Sequence, residues 1–319
     1  MKKLLIILNL FLIVKLSFAQ QQGTHWAIDG KSYFELKSGA LVKTNLETKA
    51  SETIIDANKL AFNGQPLDID NFKFTPDEKK LVVFANTSRV WRYNTKGDYY
   101  VYDLSAQKLQ RIGATMPAST TMFAKISPDG SKAAYVSNRN IYVEDLKTGT
   151  IKALTKTDGN PKLINGTFDW AYEEEFGIYD GFRWSPDSKQ IAYWQLDASG
   201  IKYFNMINNT DDIYAKVIPL EYPKVGEDPS SCKIGVVDVK TAKTKWMDVP
   251  GDSKQHYIPR MEWVEAGKIM LQQLDRKQQI SKLFYADSKT GAATKIYEES
   301  DPNAWVDVNG LKVVMSFCG

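Results

Sequence analysis

Short runs of alternating apolar and polar residues fill most of this chain, and similar phrases introduce them. Ala133-Ala134-Tyr135-Val136 and Ile191-Ala192-Tyr193-Trp194 are two such runs. A period of two sends successive side chains to opposite faces of a strand, so one face is buried and the other wetted. The introducing phrase reads Trp26-Ala27-Ile28-Asp29-Gly30-Lys31, then Phe74-Thr75-Pro76-Asp77-Glu78-Lys79. It returns as Ile126-Ser127-Pro128-Asp129-Gly130-Ser131 and Trp184-Ser185-Pro186-Asp187-Ser188-Lys189, with a degenerate copy at Trp263-Val264-Glu265-Ala266-Gly267-Lys268. First positions lie 48, 52, 58 and 79 residues apart. After each run comes a second strand such as Ile141 to Leu146, a turn such as Lys147-Thr148-Gly149, and a third strand such as Thr150 to Leu154. Similar strand pairs occupy Tyr100 to Arg111, Gly235 to Met247 and Leu283 to Tyr297.

Turns of the Pro-Asp-Gly kind join strands of this patterning, and a repeat of roughly 40–50 residues with four short strands is a propeller blade. The pattern therefore predicts an all-β fold, a β-propeller of five blades plus the start of a sixth at Asp301 to Gly319. A β-sandwich would show the strands without the recurring phrase. The 79-residue interval holds an extra segment, about Gly200 to Pro229. Inside it, Ile213 to Leu220 alternates and is ended by prolines. Two readings stand side by side: an arm that projects, or a long loop lying on the propeller.

Composition narrows the setting. Met1-Lys2-Lys3, an apolar run from Leu4 to Val14, and Ser17-Phe18-Ala19 form a secretory signal peptide over 1–19, leaving a partial propeller over 20–319 and an exported protein, periplasmic or secreted. Lys15 and the shortness of the run argue against a membrane span, which needs about 20 apolar residues. Cleavage there removes Lys2, Lys3 and Lys15, so the formal charge of +3 falls to about zero. A neutral chain offers no field for nucleic acid or anionic lipid. Cys232 and Cys318 are the only cysteines, and with His25 and His256 the only histidines no zinc site is expected. No Gly-x-Ser-x-Gly elbow, phosphate-binding glycine loop or metal-spaced cluster occurs, so no catalytic residue, metal or cofactor is assigned. Five blades and a fragment leave a sheet edge exposed, and the chain reads as the front part of something longer.

The chemistry concentrates in Asp169-Trp170-Ala171-Tyr172-Glu173-Glu174-Glu175-Phe176. Asp169 is placed to cap a short helix whose positive end suits glutamates. Three adjacent carboxylates repel, and holding them in place requires a compensating cation, either a side chain or a ligand amine. Neighbours on a helix point about 100° apart, so at most two of the three converge on one ligand. Such a pair satisfies several donors of an ammonium; the competing reading is a solvated acidic turn. Arg92, in Val90-Trp91-Arg92-Tyr93 at a strand end, either forks onto a peptide carbonyl or carboxylate, holds a nearby glutamate, or covers apolar surface.

At Asp169 to Phe176 the chain resembles the dipeptidyl peptidase IV group of prolyl-oligopeptidase-like serine peptidases. The likeness runs on through Trp91-Arg92-Tyr93, Asn140-Ile141-Tyr142-Val143, Phe182-Arg183-Trp184-Ser185-Pro186-Asp187 and Tyr222-Pro223-Lys224-Val225-Gly226, covering roughly Trp26 to Trp305. The resemblance implies an eight-bladed propeller capping an α/β-hydrolase domain, and removal of dipeptides with proline or alanine second. It implies that Glu174 and Glu175 hold the substrate's amino terminus and that Arg92 contacts its backbone. It further implies a homodimer through the arm at 200–229. Two or three more blades and the hydrolase domain with its Ser, Asp and His are not found in these 319 residues. The rival expectation is a non-catalytic periplasmic propeller that binds a peptide or protein partner.

Overall fold

The computed structural model describes residues 23–308. The signal peptide expected at 1–19 and residues 309–319 of the expected sixth unit lie outside the described residues. Among the described residues the chain is all-β apart from a 3-10 turn at Ala57–Lys59 and one α-helix, Trp170–Phe176. Contacts divide it into two compact units. One holds the described residues up to Thr87 with Asp98–Arg111; the other holds Ser88–Gly97 with the described residues from Ile112 onward.

In the first unit, His25–Trp26, Ser32–Lys37, Ala40–Asn45 and Ser51–Ile55 pair antiparallel in sequence order. Ile69–Phe74, Lys80–Arg89, Asn94–Asp103 and Lys108–Ile112 form a second meander, whose hairpin tip at 88–97 belongs to the other unit. Phe34, Leu41, Phe72, Leu81, Val83 and Tyr100 lie in its core. These are the inward members of the period-two pattern, which is why the strands sit in this register rather than one residue away.

The recurring phrase has a shared physical basis. In three copies a buried hydroxyl donates to the aspartate two residues on and accepts from the backbone N–H five residues on. Thr75 Oγ1 is 2.7 Å from Asp77 and 3.1 Å from the Lys80 nitrogen. Ser127 Oγ makes the same bonds to Asp129 and Lys132 at 2.6 and 3.0 Å. Ser185 Oγ makes them to Asp187 and Gln190 at 2.7 and 2.9 Å. The hydroxyls of Thr75 and Ser185 hold the carboxyls of Asp77 and Asp187 below the usual carboxylate range. The degenerate copy lacks this device, and Gly267 at φ 92° turns the chain there instead.

The second unit carries three further meanders. The first is Thr121–Ile126, Lys132–Ser137, Asn140–Asp145 and Ile151–Ala153. The next is Phe182–Trp184, Gln190–Asp197, Ser231–Asp238 and Thr244–Trp246, with Leu163–Asn165 added beside the later half of Gln190–Asp197. The last is His256–Glu265, Lys268–Asp275, Ile280–Asp287 and Ala293–Ser300. Aromatic residues opening the phrase tie neighbouring sheets together: Trp184 Nε1 donates to the Lys125 carbonyl at 3.1 Å, and Trp263 Nε1 to the Arg183 carbonyl at 3.0 Å. Gly181 and Gly166 bring two backbones into contact, the Gly181 nitrogen donating to the Gly166 oxygen at 3.0 Å. A Cβ on Gly181 would stand 2.5 Å from the Gly166 carbonyl carbon, so no larger residue fits.

Within 200–229, Tyr203–Asn208 pairs with Lys216–Glu221 as a two-stranded sheet joined to no other among the described residues. The strand expected at Ile213 to Leu220 starts later, and Ile213 is 93% exposed near the hairpin tip. At the expected start of the sixth unit, residues 301–308 contain no strand; the Val306 nitrogen bonds back to the Gln278 carbonyl at 2.8 Å.

His256 is buried and neutral by construction. Its Nε2 lies 3.3 Å from the Cys232 carbonyl, and its Nδ1 lies 3.0 Å from Gln273 Nε2. That amide is oriented by its 2.7 Å bond to the Pro250 carbonyl, so Nδ1 must accept. Burial lowers the imidazole below its ordinary value of 6.5. Below pH 6.5 the unfolded chain takes up a proton that the folded chain declines, so stability present above that pH is lost on acidification. Thermal melts at pH 7.5 and 5.5 are expected to show a smaller loss in His256→Gln than in the parent; equal losses would contradict the assignment.

Candidate functional site

The acidic stretch forms the helix Trp170–Phe176, and its ends explain its position. Asp169 stands at the N-cap with extended backbone, and its Oδ1 accepts from the Tyr172 nitrogen at 3.0 Å. Its Oδ2 accepts from Ser230 Oγ at 2.6 Å. Burial pushes the Asp169 carboxyl up, against the lowering effect of the Ser230 hydroxyl and the Tyr172 N–H. Gly177 ends the helix in the left-handed region at φ 61°.

One face of the helix is pinned to strand His256–Glu265. The Ile258 nitrogen donates to the Tyr172 hydroxyl at 3.3 Å, and Arg260 Nη1 donates to the Phe176 carbonyl at 3.1 Å. Tyr172 stacks on Phe168 at 5.5 Å, while Phe176 packs on Tyr257 at 5.1 Å. Trp170, outside that face, meets Tyr222 at 4.4 Å.

The three glutamates take three different environments. Glu173 is 6% exposed, and its Oε1 has no hydrogen-bond partner. Burial raises its pKa and the Glu174 charge adds to this, while the backbone N–H and guanidinium of Arg92 act in the opposite sense. Glu174, with a side chain 19% exposed, receives a two-pronged contact from Arg92: Nε to Oε1 at 3.2 Å and Nη2 to Oε2 at 2.6 Å. Glu175 is exposed and makes no ion pair among the described residues.

Arg92 lies in the bend that joins Lys80–Arg89 to Asn94–Asp103, closed by a 3.1 Å bond from the Val90 nitrogen to the Tyr93 oxygen. It is thus at a hairpin tip rather than on the strand end expected from sequence. Of the roles open to it, holding a nearby glutamate is the one its contacts display. The compensating cation is therefore a side chain for Glu174, and among the described residues Glu175 has none. Geometry brings Arg92, Glu174 and Glu175 into one neighbourhood, with only Glu175 uncommitted.

Ser230 and Arg260 escaped the sequence reading. Neither stands in a motif, and only folding brings each to an end of the helix. Cys232 is buried, its thiol pushed up to about 12 by burial, which suits a packing role. Among the described residues no group of three His, Cys, Asp or Glu side chains is arranged to hold a metal.

The family model of the dipeptidyl peptidase IV N-terminal region matches residues 75–316. Dipeptidyl aminopeptidase B of Saccharomyces cerevisiae is 28% identical over 84% of this chain and 33% of its own length. Inactive dipeptidyl peptidase 10 of Rattus norvegicus is 25% identical over 91% of this chain and 37% of its own. Among solved structures, dipeptidyl peptidase 4 of Porphyromonas gingivalis superposes with a TM-score of 0.79 at 24% identity, over 88% of this chain and 40% of that one. The fold is accordingly the all-β propeller class expected from the repeats. The chain spans about a third of the length of the curated relatives it matches.

Removing the cap tests how the acids are held. Asp169→Ala takes away the acceptor for the Tyr172 N–H and leaves the Ser230 hydroxyl unpaired. A loss of about 1–2 kcal/mol in unfolding free energy is expected by urea denaturation. Asp169→Asn, which keeps acceptor and shape, should lose less. An unchanged midpoint in the alanine variant would remove the cap from the account.

Proposed function

Since this chain belongs to the dipeptidyl peptidase IV N-terminal region family, we propose that it is the substrate-orienting propeller portion of an exported serine exopeptidase that removes dipeptides with proline or alanine second. Its task is to grip the free amino terminus of a peptide between Glu174 and Glu175, with Arg92 fixing Glu174 and reaching the peptide backbone. Export rests on the leader-like residues 1–19. The observation that carries the reading is the unequal pairing of two adjacent acids on one anchored helix: Glu174 is held by Arg92, while Glu175 makes no ion pair among the described residues. An ammonium arriving there supplies the missing positive charge and finds acceptors for several of its donors.

In the complete enzyme, a serine nucleophile, a histidine base and an orienting aspartate would come from an α/β-hydrolase domain outside these residues. Holding the ammonium at a set distance from that serine makes acyl transfer fall after the second residue, because binding the far end fixes the scissile carbonyl at the nucleophile. The same geometry excludes peptides whose amino terminus is blocked. The arm supports the homodimer: Tyr203, Phe204, Met206, Ile207, Val217 and Ile218 are all exposed apolar residues on one small hairpin. Covering them with a second subunit would remove apolar surface from water.

A second reading is a non-catalytic propeller that binds a peptide or protein partner. The likeness to a relative named inactive supports it.

Exposed ion pairs contribute roughly 0–1 kcal/mol each, so a free dipeptide is expected to bind weakly and NMR titration is the suitable probe. Ala-Pro should shift resonances of the helix Trp170–Phe176, N-acetyl-Ala-Pro should not, and Glu174→Gln or Glu175→Gln should weaken binding by about two- to fivefold. Equal binding of the free and acetylated dipeptides would end the amine-holding reading. For the arm, Ile207→Lys should shift sedimentation toward a monomer; a parent that is already monomeric at high concentration would count against the dimer.

A further inference from the structure

In the second unit the residue immediately before the recurring phrase is charged in every copy: Lys125, Arg183 and Glu262. The indole bonds from Trp184 and Trp263 set the strands that carry them side by side. Equivalent positions on neighbouring strands therefore meet, and their charges interlock through Asp180. Lys125 Nζ donates to Asp180 Oδ1 and to the Phe182 carbonyl, both at 2.5 Å. Arg183 Nη1 lies 3.5 Å from Asp180 Oδ2, and its Nε lies 2.9 Å from Glu262 Oε1. The same guanidinium donates to the Asp180 and Phe182 carbonyls at 3.0 and 2.8 Å. Cation and anion alternate along this row, and the four side chains are 26–32% exposed, deep enough to escape full screening.

The row converges on the segment that leaves the acidic helix. Asp180 is the only charged residue between Glu175 and Arg183, and two cations hold it. Gly177 ends the helix and Gly181 is pressed onto Gly166, which leaves Ile178 to Asp180 as a short link between fixed points. Thr167 Oγ1 fastens the middle of the link by donating to the Tyr179 carbonyl at 3.2 Å. Strand His256–Glu265 serves both ends: Arg260 holds the Phe176 carbonyl, and Glu262, two residues on, holds Arg183. Glu174 and Glu175 stand in the last turn of the helix, next to this link. Just before Lys125 the backbone is bulged. Phe123 has φ 56°, in the region L residues avoid, where register slips between Met122 and Lys125. Bulges re-aim side chains; here the Phe123 ring meets Tyr179 at 5.9 Å and Lys125 meets Asp180.

Lys125 is the member of the row that can change charge near neutral pH. Burial lowers its ammonium to about 8, the Asp180 charge opposes this, and the Arg183 charge lowers it further. Asp180, Arg183 and Glu262 are the charged groups that act on it. Arginine keeps its charge throughout this range. We propose that Lys125, Arg183 and Glu262 act through Asp180 as a clasp that positions Glu174 and Glu175 for a ligand amine, and that the clasp loosens in alkaline solution. This rests on the reading of Glu174 and Glu175 as the grip for an amino terminus. As pH rises through about 8, Lys125 gives up its proton and only Arg183 still holds Asp180 by charge. The four are positioning residues, and the amine meets only the glutamates.

NMR titration of the purified chain with Ala-Pro and N-acetyl-Ala-Pro, at pH 6.5 and 8.5, tests the clasp. The ligand's own amine titrates at about 7.7–8.0, so each variant is compared with the parent at the same pH. Lys125→Arg keeps its charge, so its affinity relative to the parent should rise about two- to threefold from pH 6.5 to 8.5. Asp180→Asn should bind about two- to threefold more weakly than the parent at pH 6.5, with the gap narrowing at pH 8.5. The Lys125 Cε resonance should titrate with a midpoint near 8. Thermal melts report folding, and Lys125→Arg decides the matter should Asp180→Asn fail to fold. A Lys125→Arg ratio that stays flat, or a Lys125 midpoint above about 10, overturns the alkaline loosening. Asp180→Asn binding as tightly as the parent, with acetylation still abolishing binding, overturns the clasp and leaves the amine grip standing. N-acetyl-Ala-Pro binding as tightly as Ala-Pro, or failure of both to bind, removes the amine grip and the clasp with it.

Discussion

A helix of seven residues cannot sustain itself on its own hydrogen bonds, because isolated helices this short are unstable in water. Everything the acidic stretch does therefore depends on the clamp at its ends. Asp169 holds the first turn and is itself held by Ser230, while Arg260 and the Tyr172 hydroxyl fasten the other side to strand His256–Glu265. The carboxylates repel one another, and without these fixings the stretch would relax into a loop that spreads its charges apart. The clamp turns a mutually repulsive sequence into a defined set of directions.

Those directions sort the three acids by depth. The turn of about 100° per residue sends Glu173 into the protein, Glu174 to the boundary under Arg92, and Glu175 to solvent. Depth then sets charge behaviour. Burial and the neighbouring Glu174 charge push the Glu173 carboxyl up, with Arg92 acting in the opposite sense. Arg92 pairs with Glu174, while Glu175 is exposed and makes no ion pair among the described residues. Had all three faced water, salt and solvent would have screened them into an unremarkable charged patch.

Much of the fold was legible because its signals are local. The Ser/Thr-Pro-Asp phrase carries its own hydrogen bonds within five residues, so Thr75, Ser127 and Ser185 announce their turns wherever they occur. Asp169 was legible as a cap for the same reason. The extra pairings were harder: the strand Leu163–Asn165 joins Gln190–Asp197 across an intervening helix, and three residues give no periodicity to read. At the site, the acids and Arg92 could be singled out, but not that they meet, since 82 residues separate Arg92 from Glu174. Ser230, Arg260 and the re-aimed Phe123 act through contacts made only on folding, and no spacing in the chain foretells them.

The indole bonds that bridge neighbouring sheets have an optical consequence. Trp184 and Trp263 each place a fluorophore at a joint rather than deep within one sheet, with the ring nitrogen bonded to the carbonyl of the strand next door. Parting of a joint exchanges that carbonyl for water and reddens the emission while the strands on either side remain paired. The protein thus carries its own gauge of loosening between repeats, separable from circular dichroism, which follows the strands themselves.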